Sequence, residues 1–307
     1  MYSKDISTLD RFRGCLLGLA IGDAVGTTVE FMQRGSFPKV VDMVGGGPFH
    51  LQPGQWTDDT SMALCLATSL VTKKGFDAND QMGRYWRWYK EGYLSSTGEF
   101  FDIGNTVRDA LERYHQTRNS FSGSTSPNMA GNGSLMRLAP IPIFYFPDLQ
   151  QILHFAAESS RTTHGATECL EACQLFSEML FNAFSVKDKE SVLFKTTFEP
   201  SMPKIKEIAF GNYRDKHVDE IKGSGYVVES LEAALWCFYR AASFEETILQ
   251  AANLGDDADT TAAICGQIAG AFYGETGIPE KWLNKLHMRR EITEFTDRLL
   301  ETSEDKT

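Results

Sequence analysis

Two acidic clusters stand far apart in this 307-residue chain, and what they would demand of the fold constrains it more than any other feature. The first is Thr57-Asp58-Asp59-Thr60 and the second is Asp256-Asp257-Ala258-Asp259-Thr260-Thr261. Each sets carboxylates beside hydroxyls and runs directly into an apolar pattern of helical period. Like charges this close repel, which a chain tolerates on a solvated loop or where cations neutralise them. Donors made only of oxygen suit hard cations such as Mg²⁺ or Mn²⁺, not thiolate-bound zinc. Together the clusters hold more carboxylates than one such ion needs, so convergence would make a two-metal site. The plain alternative is a pair of acidic helix caps, because Asp and Thr satisfy unpaired N–H groups at a helix start. The pair together favours metal. If both clusters serve one site, distant parts of the chain must meet, and one domain over residues 1–307 follows.

The rest of the pattern is helical almost throughout. Apolar residues recur at helical spacing over Leu9–Val25, Ser61–Leu70, Val107–Tyr114, Ile152–Ala157 and Leu170–Phe184, and again over Val227–Ala241, Thr247–Leu254, Ala262–Phe272 and Ile292–Leu300. Strand-like alternation is scarce, so an all-α, multi-helix fold is expected. The segment from Ala262 to Ala271 is dense in Ala and Gly, as in a central helix whose neighbours approach closely. The polar stretch 119–128 reads as a long loop.

A formal charge of −11 argues against nucleic acid or an anionic membrane as the main partner. An anionic small ligand remains compatible, provided bound cations reverse the local field. Met1 to Asp5 lack a signal-peptide core, and Asp23 cuts the apolar run Leu16 to Ala20. No membrane span is expected, and the expected location is the cytoplasm. Cys15, Cys65, Cys169, Cys173, Cys237 and Cys265 sit mostly in apolar patterns and read as buried thiols. His164, Cys169 and Cys173 lack the spacing of a zinc site.

Five shorter motifs carry further chemistry. Gly22-Asp23-Ala24-Val25-Gly26 ends the first helical pattern, with glycines free to turn or to approach a ligand. Glu30 follows among Val29, Phe31 and Met32, where burial would raise its pKa toward that of a working acid or base; without context it reads as a surface carboxylate. In Phe101-Asp102-Ile103-Gly104-Asn105-Thr106, Asp102 reads by default as a helix cap. Gly131-Asn132-Gly133-Ser134, then Met136-Arg137, is either a plain turn or a phosphate cradle of backbone N–H groups. His164 closes Ser160-Arg161-Thr162-Thr163-His164, and Tyr226 in Gly225-Tyr226-Val227 offers an aromatic face or a half-buried helix start.

Taken in order, G-D-A-x-G-x-x-x-E, W-T-D-D-T, F-D-I-G-N-T, G-N-G-x-x-M-R, T-H, G-Y-V-x-x-S-L-x-A-A-L and G-D-D-A-D-T-T-A-A resemble the ADP-ribosylglycohydrolase family over roughly residues 10–275. The resemblance implies an all-α fold, a monomer, and a centre of two Mg²⁺ (or Mn²⁺) ions deep in a cleft. It implies hydrolysis of the bond between ribose C1″ of ADP-ribose and a modified side chain, with an ADP-ribosylated protein as substrate and ADP-ribose as product. The metal ligands it implies are Thr57, Asp58, Asp59, Asp257, Asp259 and Thr260, with Asp256 outside the set. Glu30 matches the family's catalytic glutamate. Asp102, taken as a second catalytic carboxylate, pairs with Asn105 on the ribose as in the bacterial arginine-directed branch. Gly131, Asn132, Gly133 and Ser134 match the pyrophosphate loop, His164 a phosphate or ribose contact, and Tyr226 the adenine-side aromatic. Asp102 with Asn105 favours ADP-ribosyl-arginine as substrate; the segment Pro127 to Ala130 differs from the serine-directed animal enzymes. Cleavage of O-linked ADP-ribosyl-serine or of another conjugate is the alternative. A non-enzymatic, crystallin-like ADP-ribose-binding protein is another, against which the intact metal motifs speak.

Overall fold

The computed structural model describes residues 6–304, so Met1 to Asp5, read above for a signal core, lie outside it. The helices begin with α1 (Thr8–Gly26), α2 (Asp58–Lys73), α3 (Ala78–Glu91), α4 (Asn105–Thr117) and α5 (Pro140–Tyr145). They continue with α6 (Leu149–Arg161), α7 (Thr167–Ala183), α8 (Lys189–Phe194), α9 (Pro203–Ala209) and α10 (Val227–Arg240). The last four are α11 (Phe244–Ala252), α12 (Ala258–Tyr273), α13 (Glu280–Leu283) and α14 (Arg289–Glu304). Among the described residues, strand-like pairing is limited to the isolated bridges Gly46–Leu51, Ser124–His164 and Gly131–Tyr226. The fold is all-α.

The pairing of α1 with α12 organises it. Gly14, Gly18, Gly22 and Gly26 recur every four residues and so form one stripe along α1. Against it lie Gly270, Gly266, Ala262 and Ala258 in reverse order, so the helices run antiparallel. The backbones touch: a Cβ built on Gly18 would fall 2.2 Å from the Gly266 carbonyl oxygen, and one on Gly270 would fall 1.8 Å from that of Gly14. Only glycine permits that approach. The small-residue pattern of Ala262 to Ala271 is thus the central-helix signature it resembles. The α1 glycines face the α12 backbone, not a ligand, and the helix runs through Gly26 without a turn at Gly22. Buried Arg11 ties the pair to α7, donating through Nη1 to the carbonyls of Ala183 (2.8 Å), Phe272 (2.9 Å) and Ala271 (3.1 Å).

Two sequence expectations change here. The helical segment Thr8–Val29, α1 and the short 3₁₀ turn after it, is long and apolar enough to cross a membrane, despite Asp23; 89% of its most apolar window is buried inside the protein. It is a core helix. The helix α3 was not expected, because its buried Met82, Tyr85 and Trp88 lie among charged and exposed residues. Asp77 caps it by accepting from the Asp80 amide at 2.9 Å. Its apolar face joins Met62, Leu111 and Met136 in a second apolar cluster beside α2 and α4.

Candidate active site

The antiparallel pairing delivers the C-terminal end of α1 to the N-terminal end of α12, and α2 begins at the same place. Asp23, fully buried on α1, accepts from the amides of Thr57 (2.9 Å) and Thr60 (3.0 Å) and from their hydroxyls (2.9 and 2.6 Å). It thereby satisfies N–H groups that a cap at the start of α2 would otherwise take. Thr57 makes no side-chain cap of its own. Asp58 and Asp59 are therefore released from capping, and the plain reading of the first cluster does not hold. Burial pushes Asp23 up to about 6, against the pull of those four hydrogen bonds. The sequence reading gave Asp23 no role, although a carboxylate inside an apolar run between glycines was the available signal.

The second cluster behaves alike. Asp257 precedes α12 but makes no cap; its Oδ2 accepts from Asn132 Nδ2 at 2.6 Å. The helix begins at Ala258, so Asp259 and Thr260 project from its first turn. Across the junction, the Thr57 hydroxyl lies 3.3 Å from Asp259 Oδ2 and 3.4 Å from Asp59 Oδ2, and the Thr260 hydroxyl lies 3.3 Å from Asp59 Oδ2. The clusters converge. Asp58, Asp59 and Asp259 offer oxygens within 4.8 Å of one another, and so do Glu30, Asp102 and Asp259. Asp59 Oδ1 and Asp259 Oδ1 are buried without any hydrogen-bond partner. A buried, unpaired carboxylate oxygen is costly unless a cation meets it, so this donor set fits bound hard cations.

Glu30 and Asp102 complete the acidic wall. Glu30 is 3% exposed and accepts from the Thr27 hydroxyl at 3.3 Å. Desolvation first, then the charges of Asp259 and Asp102, push its carboxyl up to about 12. Desolvation and the charge of Asp58 push Asp102 up to about 10, and the two acids share a hydrogen bond. The surface reading of Glu30 and the capping reading of Asp102 both fail, since α4 is preceded by Gly104 and Asp102 takes a left-handed backbone (φ 55°).

These groups line one cleft of about 750 Å³ with Gly131, Asn132, Gly133, His164 and Gly225. Glu30, Asp58, Asp102, Asp256, Asp257 and Asp259 line it, and no Lys or Arg does. The amides of Gly133 and Ser134 form no hydrogen bond among the described residues. The first turn of α4 carries no side-chain cap, and Asn105, Thr106 and Val107 face the cleft. The Asn105 side-chain Oδ1 accepts from Arg108 Nη2. The Ser134 hydroxyl accepts from Ser160 Oγ at 2.8 Å, and Ser134 is buried behind Gly133 and does not itself line the cleft. Tyr226 does not line the cleft: its hydroxyl donates to Glu168 at 2.6 Å, and Lys204 Nζ lies 4.8 Å from the ring centroid. The loop 119–126 packs behind the site, with Ser124 bridged to His164.

His164 is buried, and burial together with the Arg137 charge pulls its pKa down to about 3, so it is neutral. Arg137 Nη2 donates to the Thr163 hydroxyl at 2.8 Å, and that hydroxyl lies 2.9 Å from His164 Nδ1. Arginine only donates, so the Thr163 proton is free for Nδ1. That arrangement gives the Thr163 hydroxyl an acceptor in Nδ1 and leaves Nε2–H facing the Gly131–Gly133 loop, where it lies 3.3 Å from an ideal Gly131 Cβ position. Arg137 also holds the loop through the Gly133 carbonyl at 2.9 Å. Neither Arg137 nor Thr163 had a role in the sequence reading.

Residues 4–307 match the ADP-ribosylglycohydrolase family. The chain belongs to that family. This ADP-ribosylglycohydrolase is similar to the ADP-ribosylarginine hydrolase Tri1 of Serratia proteamaculans (strain 568), 46% identical over 292 residues that cover 95% of this chain and 79% of that protein. It is 33% identical to the ADP-ribosyl-[dinitrogen reductase] glycohydrolase of Rhodospirillum rubrum over 302 residues, 96% of this chain and 97% of that one. A solved structure described as an ADP-ribosylglycohydrolase-related protein complex is 44% identical and superposes with a TM-score of 0.86, covering 97% of this chain and 99% of its own. The fold class and the family expected of the sequence both hold.

Proposed function

We propose that the chain hydrolyses the N-glycosidic bond between ribose C1″ of ADP-ribose and the guanidinium of a modified arginine, releasing ADP-ribose. One observation carries this reading: the two acidic clusters meet at one cleft, where Asp259 lies within reach of Asp58 and Asp59 on one side and of Glu30 and Asp102 on the other. Thr57, Asp58, Asp59, Asp257, Asp259 and Thr260 would hold two Mg²⁺ or Mn²⁺ ions. When bound, such ions supply Lewis-acid stabilisation of the ribose hydroxyls and acidify water.

The chain's own residues do the rest. The unpaired amide of Gly133, with the uncapped start of α4, receives the pyrophosphate without any basic side chain. The His164 Nε2–H donates to a phosphate or ribose oxygen. This fixes the nucleotide and leaves C1″ between the acidic wall and Glu30. Glu30, kept in its acid form chiefly by burial, delivers a proton to the departing guanidine nitrogen as the C1″–N bond breaks. It then takes a proton from the water whose oxygen bonds to C1″. Asp102 acts on the ribose from the same side.

The test is a set of ADP-ribosylated arginine and serine proteins incubated with the enzyme and Mg²⁺. Release of ADP-ribose from the arginine conjugate supports the reading. AMP as product, or release from serine alone, overturns it.

A further inference from the structure

Phe31 is 68% exposed at the mouth of the cleft, directly after Glu30, and its backbone is left-handed (φ 63°). A bulky aromatic residue in that conformation is a rare outlier and persists only where its surroundings enforce it. Here they do. The Phe31 amide donates to the Asp256 carbonyl at 2.7 Å, and the Asp256 amide donates to the Met32 carbonyl at 2.8 Å. Asp256 is itself left-handed (φ 56°), as is Asp102 (φ 55°). Three non-glycine residues in this conformation thus line one cleft. Strained backbone is used to hold an apolar ring in water beside the carboxyl that the mechanism needs.

The ring is not alone. Phe31 meets Phe49 edge-on with centroids 6.4 Å apart, and Phe49 meets Phe101 at 5.2 Å. Phe101 directly precedes Asp102, so the aromatic series runs from the residue after Glu30 to the residue before Asp102. It borders the acidic side of a cleft whose lining has no Lys or Arg. A surface of aromatic rings edged with carboxylates is complementary to a planar, weakly hydrated cation. Nothing in the nucleotide half of the substrate has that character; the guanidinium of arginine does.

We propose that Phe31, Phe49 and Phe101 form an acceptor subsite that receives the guanidinium of the modified arginine and sets the preference for arginine over uncharged acceptors. The proposal rests on the arginine-directed reading above and adds residues to it. The guanidinium stacks on the exposed Phe31 ring while the ribose lies inside. Phe31 touches the leaving group alone, so it governs acceptor affinity and leaves nucleotide affinity untouched.

Two measurements separate this proposal from the reading beneath it. In the first, the wild type, Phe31→Leu and Phe31→Tyr are compared on ADP-ribosyl-arginine and ADP-ribosyl-serine peptides with Mg²⁺, together with the Kd for free ADP-ribose. Phe31→Leu should raise KM for the arginine conjugate by roughly 2–30-fold, the range of a cation–π contact. Phe31→Tyr should restore it, and ADP-ribose affinity should stay within about twofold for every variant. An unchanged KM in Phe31→Leu, or a parallel loss of ADP-ribose affinity, overturns the proposal. In the second, methylguanidine is titrated into the Mg²⁺- and ADP-ribose-loaded protein. Saturable binding that Phe31→Leu abolishes and Phe31→Tyr keeps supports the subsite even if the wild type fails to cleave arginine conjugates, a result that would sink only the proposed reaction. Absence of such binding in the wild type overturns it.

Discussion

The shortest contact between Asp23 and the start of α2 is the 2.6 Å hydrogen bond it accepts from the Thr60 hydroxyl. It means that one carboxylate, contributed by α1, does the capping that leaves Asp58 and Asp59 free. Replacing it should therefore disturb metal binding without removing a ligand. Asp23→Ala is expected to cost about 1–2 kcal/mol as a lost helix cap and to weaken Mg²⁺ affinity, since Asp58 or Asp59 then turns back to the vacant amides. Calorimetric Mg²⁺ titration of folded Asp23→Ala protein checks this; wild-type affinity would show that Asp23 is merely structural.

Glu30→Gln keeps the side chain's size and removes its proton. Turnover should fall by roughly 10²–10⁴-fold, the usual share of general acid–base catalysis, while ADP-ribose still binds. Near-normal turnover would transfer the proton role to Asp102.

The raised carboxyls give a pH signature. Glu30 and Asp102 sit at about 12 and about 10 in the folded protein, against ordinary values of 4.5 and 3.8. Between pH 6.5 and 8 the native state holds protons that the unfolded chain has given up, so stability falls as pH rises, by about 1.4 kcal/mol per pH unit for each such proton. His164, whose folded pKa is about 3, acts in the opposite sense, but only below its ordinary value of 6.5. Chelator-treated protein should therefore melt at a lower temperature at pH 8 than at pH 6.5. Added Mg²⁺ should flatten that slope and stabilise by about 2.7 kcal/mol at 100 times its Kd. A chelated melting temperature that rises across the window would contradict the buried-proton account.

Glycine substitutions should separate by sign. A Cβ on Gly266 would stand 2.0 Å from the Gly18 carbonyl oxygen, so Gly266→Ala must force α1 and α12 apart, at about 3 kcal/mol or more. Gly83 lies inside α3 with open space around it, the nearest atom being the Tyr114 hydroxyl oxygen at 3.8 Å. There the same change should stabilise by about 0.5–1 kcal/mol. Urea melts of the two variants decide it.

Thr163→Val removes the hydroxyl between Arg137 and His164 but keeps its shape. With nothing to fix Nδ1, the ring should populate both tautomers, visible in its nitrogen chemical shifts, and ADP-ribose affinity should drop by roughly 3–10-fold. Thr163→Ser should behave as wild type. An unaltered tautomer in the Val variant would break the relay.

The sequence was legible where chemistry leaves a composition signature. The acidic clusters, the Gly131 loop and His164 could be picked out because carboxylates, glycines and histidine are unusual beside apolar helices. The density of Ala and Gly after Asp259 betrayed a central helix. Asp23 escaped because its role depends on a helix 34 residues further along the chain. The helix α3 escaped because aromatic residues among charges mask a helical stripe. Tyr226 could not be placed because its partner Glu168 is 58 residues away, and pattern alone cannot choose between a carboxylate and a nucleotide as the neighbour of a tyrosine. Asp23 and α3 were missed for one cause: periodicity reports which face is buried, not what lies opposite it.

The glycine contact between α1 and α12 also has a temporal meaning. Gly14 and Gly270 are 256 residues apart, so a ribosome-bound chain that has made the first acidic cluster still lacks the second. Until the closing helix emerges, Asp58 and Asp59 face water, the Gly18 stripe has no partner, and no reactive centre exists. A hydrolase assembled this way should be inert as a fragment: a chain released before α12 is made lacks Asp257 and Asp259, and the proposed centre is complete only once that helix joins α1.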